Sequence, residues 1–220
     1  MDGAVVRREV RLDAAGVTLD GFLALPVGGQ ALVLFAHGSG SSRFSPRNRL
    51  VAERLNAAGI GTLLFDLLTA AEHRIDEVTR EFRFNIPLLS RRLIGAIDWA
   101  DGEADTRALR LGLFGSSTGA AAALLAAAER PRRVAAVVSR GGRPDLAGAA
   151  LPRVQAPTLL LVGGEDHQVL GLNREAAQQM RIRPRLETVA GASHLFEEPG
   201  TLDRVIQLTI DWFVRHLCRY

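Results

Sequence analysis

The sequence predicts an α/β fold, a mostly parallel, doubly wound sheet with an antiparallel hairpin at its amino-terminal edge. Short runs rich in Val, Leu and Phe alternate with longer helical patterns, as expected when parallel strands are buried on both faces by crossover helices. A chain of 220 residues with 47% hydrophobic content can bury one sizeable core. No internal repeat or Pro/Gly/Ser linker divides it, so residues 1–220 are expected to form a single domain.

The opening stretches Val5 to Leu12 and Val17 to Leu25 alternate in polarity around Ala14-Ala15-Gly16 and read as an antiparallel hairpin. Buried-strand candidates follow at Ala31 to Ala36, Gly61 to Asp66, Leu109 to Phe114, Val134 to Ser139, Thr158 to Val162 and Leu186 to Val189. Helix candidates lie between them near Arg47 to Ala58, Leu88 to Ala100, Thr118 to Arg130, Leu172 to Met180 and Leu202 to Leu217. Two stretches, Leu67 to Ile86 and Arg140 to Pro157, stay irregular, and both follow carboxyl ends of strands, where open α/β sheets bind ligands. The first reads as a pocket wall or equally as a solvated loop or extra helix. The second is too short for a multi-helix lid, so an open site without a large cap domain is expected.

Composition removes several function classes. The chain has no lysine, which excludes lysine Schiff bases and phosphate-loop lysines. Its 27 arginines against 24 acids leave a formal charge of +3, and they are scattered among Asp and Glu with no basic stripe, so no nucleic-acid partner is expected. The single cysteine, Cys218, cannot form an internal disulfide. Neither H-x-x-x-H nor clustered cysteines occur, so neither a metal nor a cofactor is expected. Residues 1–11 mix charges with isolated valines, unlike a signal peptide. The longest apolar run, Ala120 to Ala128, falls short of the roughly 20 residues that span a bilayer. The expectation is a cytoplasmic protein acting on a small molecule away from membranes, with its oligomeric state open.

The strongest local signal is Gly115-Ser116-Ser117-Thr118-Gly119, which fits G-x-S-x-G only with Ser117 at its centre. Nine serines and 22 glycines in 220 residues predict about 0.09 chance matches, so context must decide. A strand candidate precedes the motif and an alanine-rich helix candidate follows it, the setting in which a serine is presented on a sharp strand-to-helix turn. Such a turn aims the Thr118 N–H at the reacting centre as one oxyanion donor. The loop Phe35-Ala36-His37-Gly38-Ser39-Gly40-Ser41-Ser42 can supply a second, from the Ser39 N–H.

A serine hydroxyl needs a base and a carboxylate to orient that base. Asp166, in Gly163-Gly164-Glu165-Asp166 at the end of a strand candidate, is the preferred acid, with Glu165 as its rival. His194, in Ala190-Gly191-Ala192-Ser193-His194, is the preferred base, because His216 lies in a helix, His73 precedes the motif and His167 adjoins the acid. His37 reads chiefly as a brace for its loop, with substrate contact open. Arg140 and Arg143, in Ser139-Arg140-Gly141-Gly142-Arg143-Pro144-Asp145, are candidates for holding a substrate carboxylate, with an internal pair to Asp145 the commoner alternative.

With His37-Gly38, Gly115-x-Ser117-x-Gly119, Asp166 and His194 in order, the chain resembles the α/β-hydrolase superfamily over nearly its whole length. The run Ser193-His194-Leu195-Phe196-Glu197-Glu198-Pro199-Gly200 and the small size are similar to its dienelactone-hydrolase-like group. Dienelactone hydrolases proper use a cysteine nucleophile where this chain has Ser117. What the resemblance implies is acyl transfer to water by a Ser117–His194–Asp166 triad, with carboxylic esters or lactones first in line. Thioesterase, amidase or polyester hydrolase activity needs the same triad, and a non-catalytic binding protein of the same fold is the remaining alternative.

Overall fold

A computed structural model of the chain describes residues 4–218. Eight strands form one sheet in the order β1-β2-β4-β3-β5-β6-β7-β8. The hairpin is β1 (Val5–Ala14) and β2 (Val17–Pro26), antiparallel from Val5 opposite Pro26 to Ala14 opposite Val17. Its turn holds Ala15 and Gly16 at φ 51° and 81°, the left-handed conformation that a tight hairpin turn demands. β2 then runs antiparallel to β4 (Gly61–Phe65). From β4 onward every pairing is parallel, through β3 (Ala31–Ala36), β5 (Arg110–Ser116), β6 (Val134–Arg140), β7 (Thr158–Gly163) and β8 (Arg185–Val189).

The parallel strands are apolar on both faces because both are covered. β3 and β4 are buried at every residue. On one face, α1 (Pro46–Ala57) and α6 (Thr201–Leu217) pack through Val51, Leu55, Val205 and Phe213 against Val33, Phe35, Phe114 and Val138. On the other, α3 (Ile86–Gly102) and α4 (Thr118–Glu129) cover Leu32, Leu34, Leu111 and Leu113. α4 is buried almost all round, and its alanines allow close approach to the sheet on one side and its helical neighbours on the other. α5 (His167–Gln179) completes this layer beside β7.

Both irregular stretches contain more order than composition suggested. Leu67 to Ile86 holds a helix, α2 (Ala70–Thr79), started by a capping box in which Thr69 and Glu72 satisfy each other's backbone N–H groups. Its polar, largely exposed surface hid the apolar period. Arg140 to Pro157 contains a 3-10 segment, Pro144–Arg153, kinked at Gly148 and packed on α4 and α5. It is no lid, and no large cap domain stands over the sheet. α5 starts five residues before the expected Leu172, because Asp166 caps it and Gly171 within it masks the pattern. The other ends move by one or two residues. Among the described residues no helix is long and apolar enough to cross a membrane.

The chain leaves β3 toward β4 on one side of the sheet and later enters β5 on the other. The crevice between the carboxyl ends of β3 and β5 is therefore the topological switch point, where ligands bind in such sheets. The loop after β3 and the turn after β5 meet there.

Candidate active site

Ser117 is the turn between β5 and α4. Its φ of 50° and ψ of −121° lie outside the regions a side-chain-bearing residue favours, a strain of about 1–3 kcal/mol that surrounding structure must hold in place. The turn is clamped by two backbone hydrogen bonds, since the Ser117 N–H donates to the Arg140 carbonyl at 3.2 Å and the Arg143 N–H to the Ser117 carbonyl at 3.1 Å. Its small neighbours are sterically required. A Cβ on Gly119 would lie 2.2 Å from the Ala36 carbonyl oxygen, and one on Gly115 2.4 Å from the Ala120 Cα. The G-x-S-x-G pattern thus follows from three backbones converging on one turn.

Asp166 and His194 meet across the gap between β7 and the loop after β8. Asp166 Oδ2 lies 2.6 Å from His194 Nδ1, while Oδ1 accepts the Val169 N–H at 3.4 Å as the N-cap of α5. The loop carrying His194 comes this close because Gly163 has no side chain, since a Cβ there would sit 2.3 Å from the Ala192 carbonyl oxygen. Glu198 pins the same loop by accepting the Ser193 N–H at 3.1 Å. The Asp166 side chain is 14% exposed and His194 is 39% exposed, so the pair runs from interior to cleft with His194 Nε2 unengaged by the acid. Glu165 takes no part in that contact, and its N–H donates to the Ala192 carbonyl.

Ser117 and His194 line one cleft of about 250 Å³ together with Gly38, Ser39, Ser41, Ser45, Arg47, Ser116, Arg140 and Leu195. No hydrogen bond joins Ser117 Oγ to His194 among the described residues; such contacts are often long before substrate binds. Gly38 packs against the Ser117 turn, for a Cβ there would lie 3.2 Å from the Ser117 Cβ. Neither the Ser39 nor the Thr118 N–H donates to a backbone carbonyl among the described residues, which leaves both free for an oxyanion.

The three remaining candidates part company. His37 is buried, its Nε2 accepts the Leu67 N–H at 3.0 Å, and its Nδ1 lies 2.9 Å from the Gly38 carbonyl. Burial lowers its pKa, favouring the neutral ring that these two bonds require. With both nitrogens engaged it braces the loop after β3, and the Ser117 cleft excludes it. Arg143 is held bidentately by Asp145 at 2.9 and 2.7 Å, also outside the cleft lining. Arg140 alone of the three faces the cleft.

Residues 67–86 do not line this cleft but stand behind the loop after β3, where Asp76 and Arg83 pair at 2.7 Å. Sequence reading missed Arg47, Ser41, Ser45 and Leu195 as cleft residues. Of these, Ser41 falls inside the loop Phe35 to Ser42 that the sequence singles out.

A family model described as alpha/beta hydrolase domain matches residues 29–219. The chain belongs to the alpha/beta hydrolase family. Within that family it is similar to the crystal structure of dienelactone hydrolase from Anabaena variabilis ATCC 29413, at 55% identity and a TM-score of 0.95, covering 97% of this chain and 99% of that one. Est1E from Butyrivibrio proteoclasticus shares the fold at 16% identity and a TM-score of 0.77, covering 94% of this chain and 98% of that one. Two curated Mycobacterium tuberculosis proteins, from strains CDC 1551 / Oshkosh and H37Rv, are 54% identical over 210 residues and are named as phosphoribosyl transferases. The match covers 96% of this chain but 46% of each of those proteins, so the chain spans less than half their length.

Proposed function

We propose that the protein is a serine hydrolase of small carboxylic esters or lactones, with Ser117 as nucleophile, His194 as general base and Asp166 as its orienting acid. The observation that carries this reading is the strained Ser117 turn in the same cleft as a histidine already bonded to a partly buried carboxylate. Backbone strain held at a switch-point crevice is a feature that folding alone does not reward.

In this mechanism Asp166 fixes the ring with its Nδ1 proton inward and its Nε2 toward the cleft. Nε2 takes the Ser117 hydroxyl proton as Oγ attacks the acyl carbon, and the carbonyl oxygen becomes an oxyanion facing the Ser39 and Thr118 N–H groups. Collapse breaks the ester bond, and the alcohol leaves with the proton carried by His194. Water then loses a proton to His194 and attacks the acyl-enzyme, releasing the acid and restoring Ser117. Asp166 stays ionised throughout and stabilises the imidazolium.

The phosphoribosyl transferase name belongs to proteins more than twice the matched length, while Ser117, His194 and the Ser39 loop in this cleft fit acyl transfer. The triad carries over to thioesters, amides and polyesters, so bond preference is measured directly. A panel of short and long acyl esters, a lactone and an anilide should show fastest turnover on short esters or the lactone. Ser117→Ala should lower kcat by about 10⁵–10⁶ while the protein stays folded by circular dichroism. Near-normal turnover in that variant removes Ser117 from the mechanism, and preference for the anilide overturns the ester reading.

A further inference from the structure

The loop after β3 presents Ser39 at a point where the backbone has no hydrogen bonds of its own. The Ser41 N–H donates to the Gly38 carbonyl at 3.2 Å, which makes Ser39 and Gly40 the central residues of a tight turn. Gly40 sits at φ 69°, the left-handed value that glycine supplies at the third position of such turns. Among the described residues neither Ser39 nor Gly40 gives or takes a hydrogen bond. The flanks, by contrast, are tied down. His37 Nε2 accepts the Leu67 N–H at 3.0 Å, and Asp66 accepts the Arg43 N–H at 2.7 Å and pairs with the Arg43 guanidinium. A turn fixed at its flanks and unbonded at its apex can shift there, and the Ser39 N–H shifts with it.

Arg83 stands behind that apex. A Cβ on Gly40 would lie 3.3 Å from Arg83 Nη1 and 3.8 Å from its Cζ, so the guanidinium lies against the Gly40 backbone. The space left between the turn and Leu68, His73, Asp76, Arg83 and Leu89 behind it is about 10 Å³, barely room for one water. The guanidinium is itself held. Its Nε donates to Asp76 Oδ2 at 2.7 Å and its Nη2 to the Asp76 carbonyl at 2.9 Å, so two of its three nitrogens are spent on α2 and Nη1 is the one turned to Gly40. α2 is anchored in turn, because Arg92 of α3 holds Glu72 at 2.7 Å and Glu72 accepts the Thr69 N–H at 2.8 Å. An ion pair with Asp76 needs only one nitrogen, whereas backing the turn needs the planar edge of a guanidinium.

We propose that Arg83 is a positioning residue for ester hydrolysis: its Nη1 edge, held by Asp76, backs the apex at Ser39 and Gly40 and sets how closely the Ser39 N–H approaches the developing oxyanion. This rests on the serine-hydrolase reading. Arg83 is absent from the cleft beside Ser117, so it acts through the turn and not on the substrate. An oxyanion hole is spaced for the tetrahedral oxygen rather than the planar carbonyl, so the loss of Arg83 falls on kcat and not on KM.

The test compares a short-chain phenyl ester with its matched thionoester, in which sulfur replaces the carbonyl oxygen, in wild type, Arg83→Met and Arg83→Lys. Methionine removes the charge and the planar edge; lysine keeps a charge for Asp76 but lacks the edge. Wild type should hydrolyse the oxygen ester about 100-fold faster or more. Both variants should lower kcat for that ester about 10- to 100-fold with KM within about twofold, and Arg83→Lys should stay close to wild type in its urea midpoint. The thionoester, whose larger sulfur gains little from a hole spaced for oxygen, should slow far less, so the oxygen-to-sulfur ratio falls along with kcat. A merely structural role slows both esters by one factor and leaves the ratio where it was, and that result overturns the inference. So does wild-type kcat in either variant, a wild type that does not discriminate the two esters, or an Arg83→Lys protein that fails to fold. If Arg83→Met alone fails to fold, Arg83→Lys decides. Each of these leaves the serine hydrolase intact, whereas turnover of neither ester by wild type, with Ser117 unreactive toward a fluorophosphonate, sinks both readings.

Discussion

Ser117 occupies its conformation at a cost, because a left-handed φ presses Cβ against its own backbone. Glycine relieves that contact, and its greater freedom in the unfolded chain offsets only part of the gain. Ser117→Gly should therefore raise the unfolding free energy by about 1 kcal/mol while abolishing ester turnover, measured by urea denaturation and by initial rates. A destabilised variant would mean that the serine side chain contributes more to folding than its strain removes. The strained turn at Ser117 was readable from sequence because strain demands small neighbours at fixed spacing, and Gly115 and Gly119 leave that trace. The carboxylate that meets His194 was half readable: Glu165 and Asp166 are adjacent in sequence, and only the fold shows that Asp166 makes the contact. Arg140 differs again, since pairing depends on residues far away in the chain. Arg143 found Asp145 two positions on, and Arg140 found nothing.

At the scale of elements, the loop after β3 is supported from behind by α2 and the turn after it. Asp76 is 1% exposed and accepts the Phe82 and Arg83 N–H groups at 2.8 Å and the Arg83 Nε–H at 2.7 Å. Burial alone would raise its pKa, but the Arg83 backbone and side-chain hydrogen bonds and the Phe82 N–H outweigh it and hold the carboxyl below its usual value. A lowered folded pKa contributes stability above the unfolded pKa and loses it as pH falls through the folded one. Asp76→Asn should thus destabilise the protein by about 3 kcal/mol at pH 7, and the gap to wild type should narrow below about pH 4. Equal stability at both pH values would show that Asp76 is not ionised in the fold. None of this was visible in the sequence, where residues 67–86 show no apolar period, because α2 is held by caps and an ion pair more than by a buried stripe. Strands β3 to β7 were visible for the opposite reason, since burial on both faces leaves continuous apolar runs.

For the molecule as a whole, one topological fact organises the site. Because the chain departs from β3 in both directions across the sheet, the loop after β3 and the turn after β5 share a crevice, and the ends of β6, β7 and β8 bring Arg140, Asp166 and His194 beside it. Alternation of strands and helices revealed this architecture, and the order of Ser117, Asp166 and His194 along the chain follows the order of the strands that carry them. The cleft's composition was not readable, because Arg47 and Arg140 come from elements 93 positions apart. Among the described residues no cap stands over the cleft, whose walls come from the loop after β3, the start of α1, the ends of β5 and β6 and the loop carrying His194. Mass spectrometry of the intact, folded protein after treatment with a fluorophosphonate tests the central claim most directly. A single adduct that maps to Ser117 and disappears in Ser117→Ala is the predicted result; an unmodified folded protein, or an adduct that persists in the variant, would contradict it.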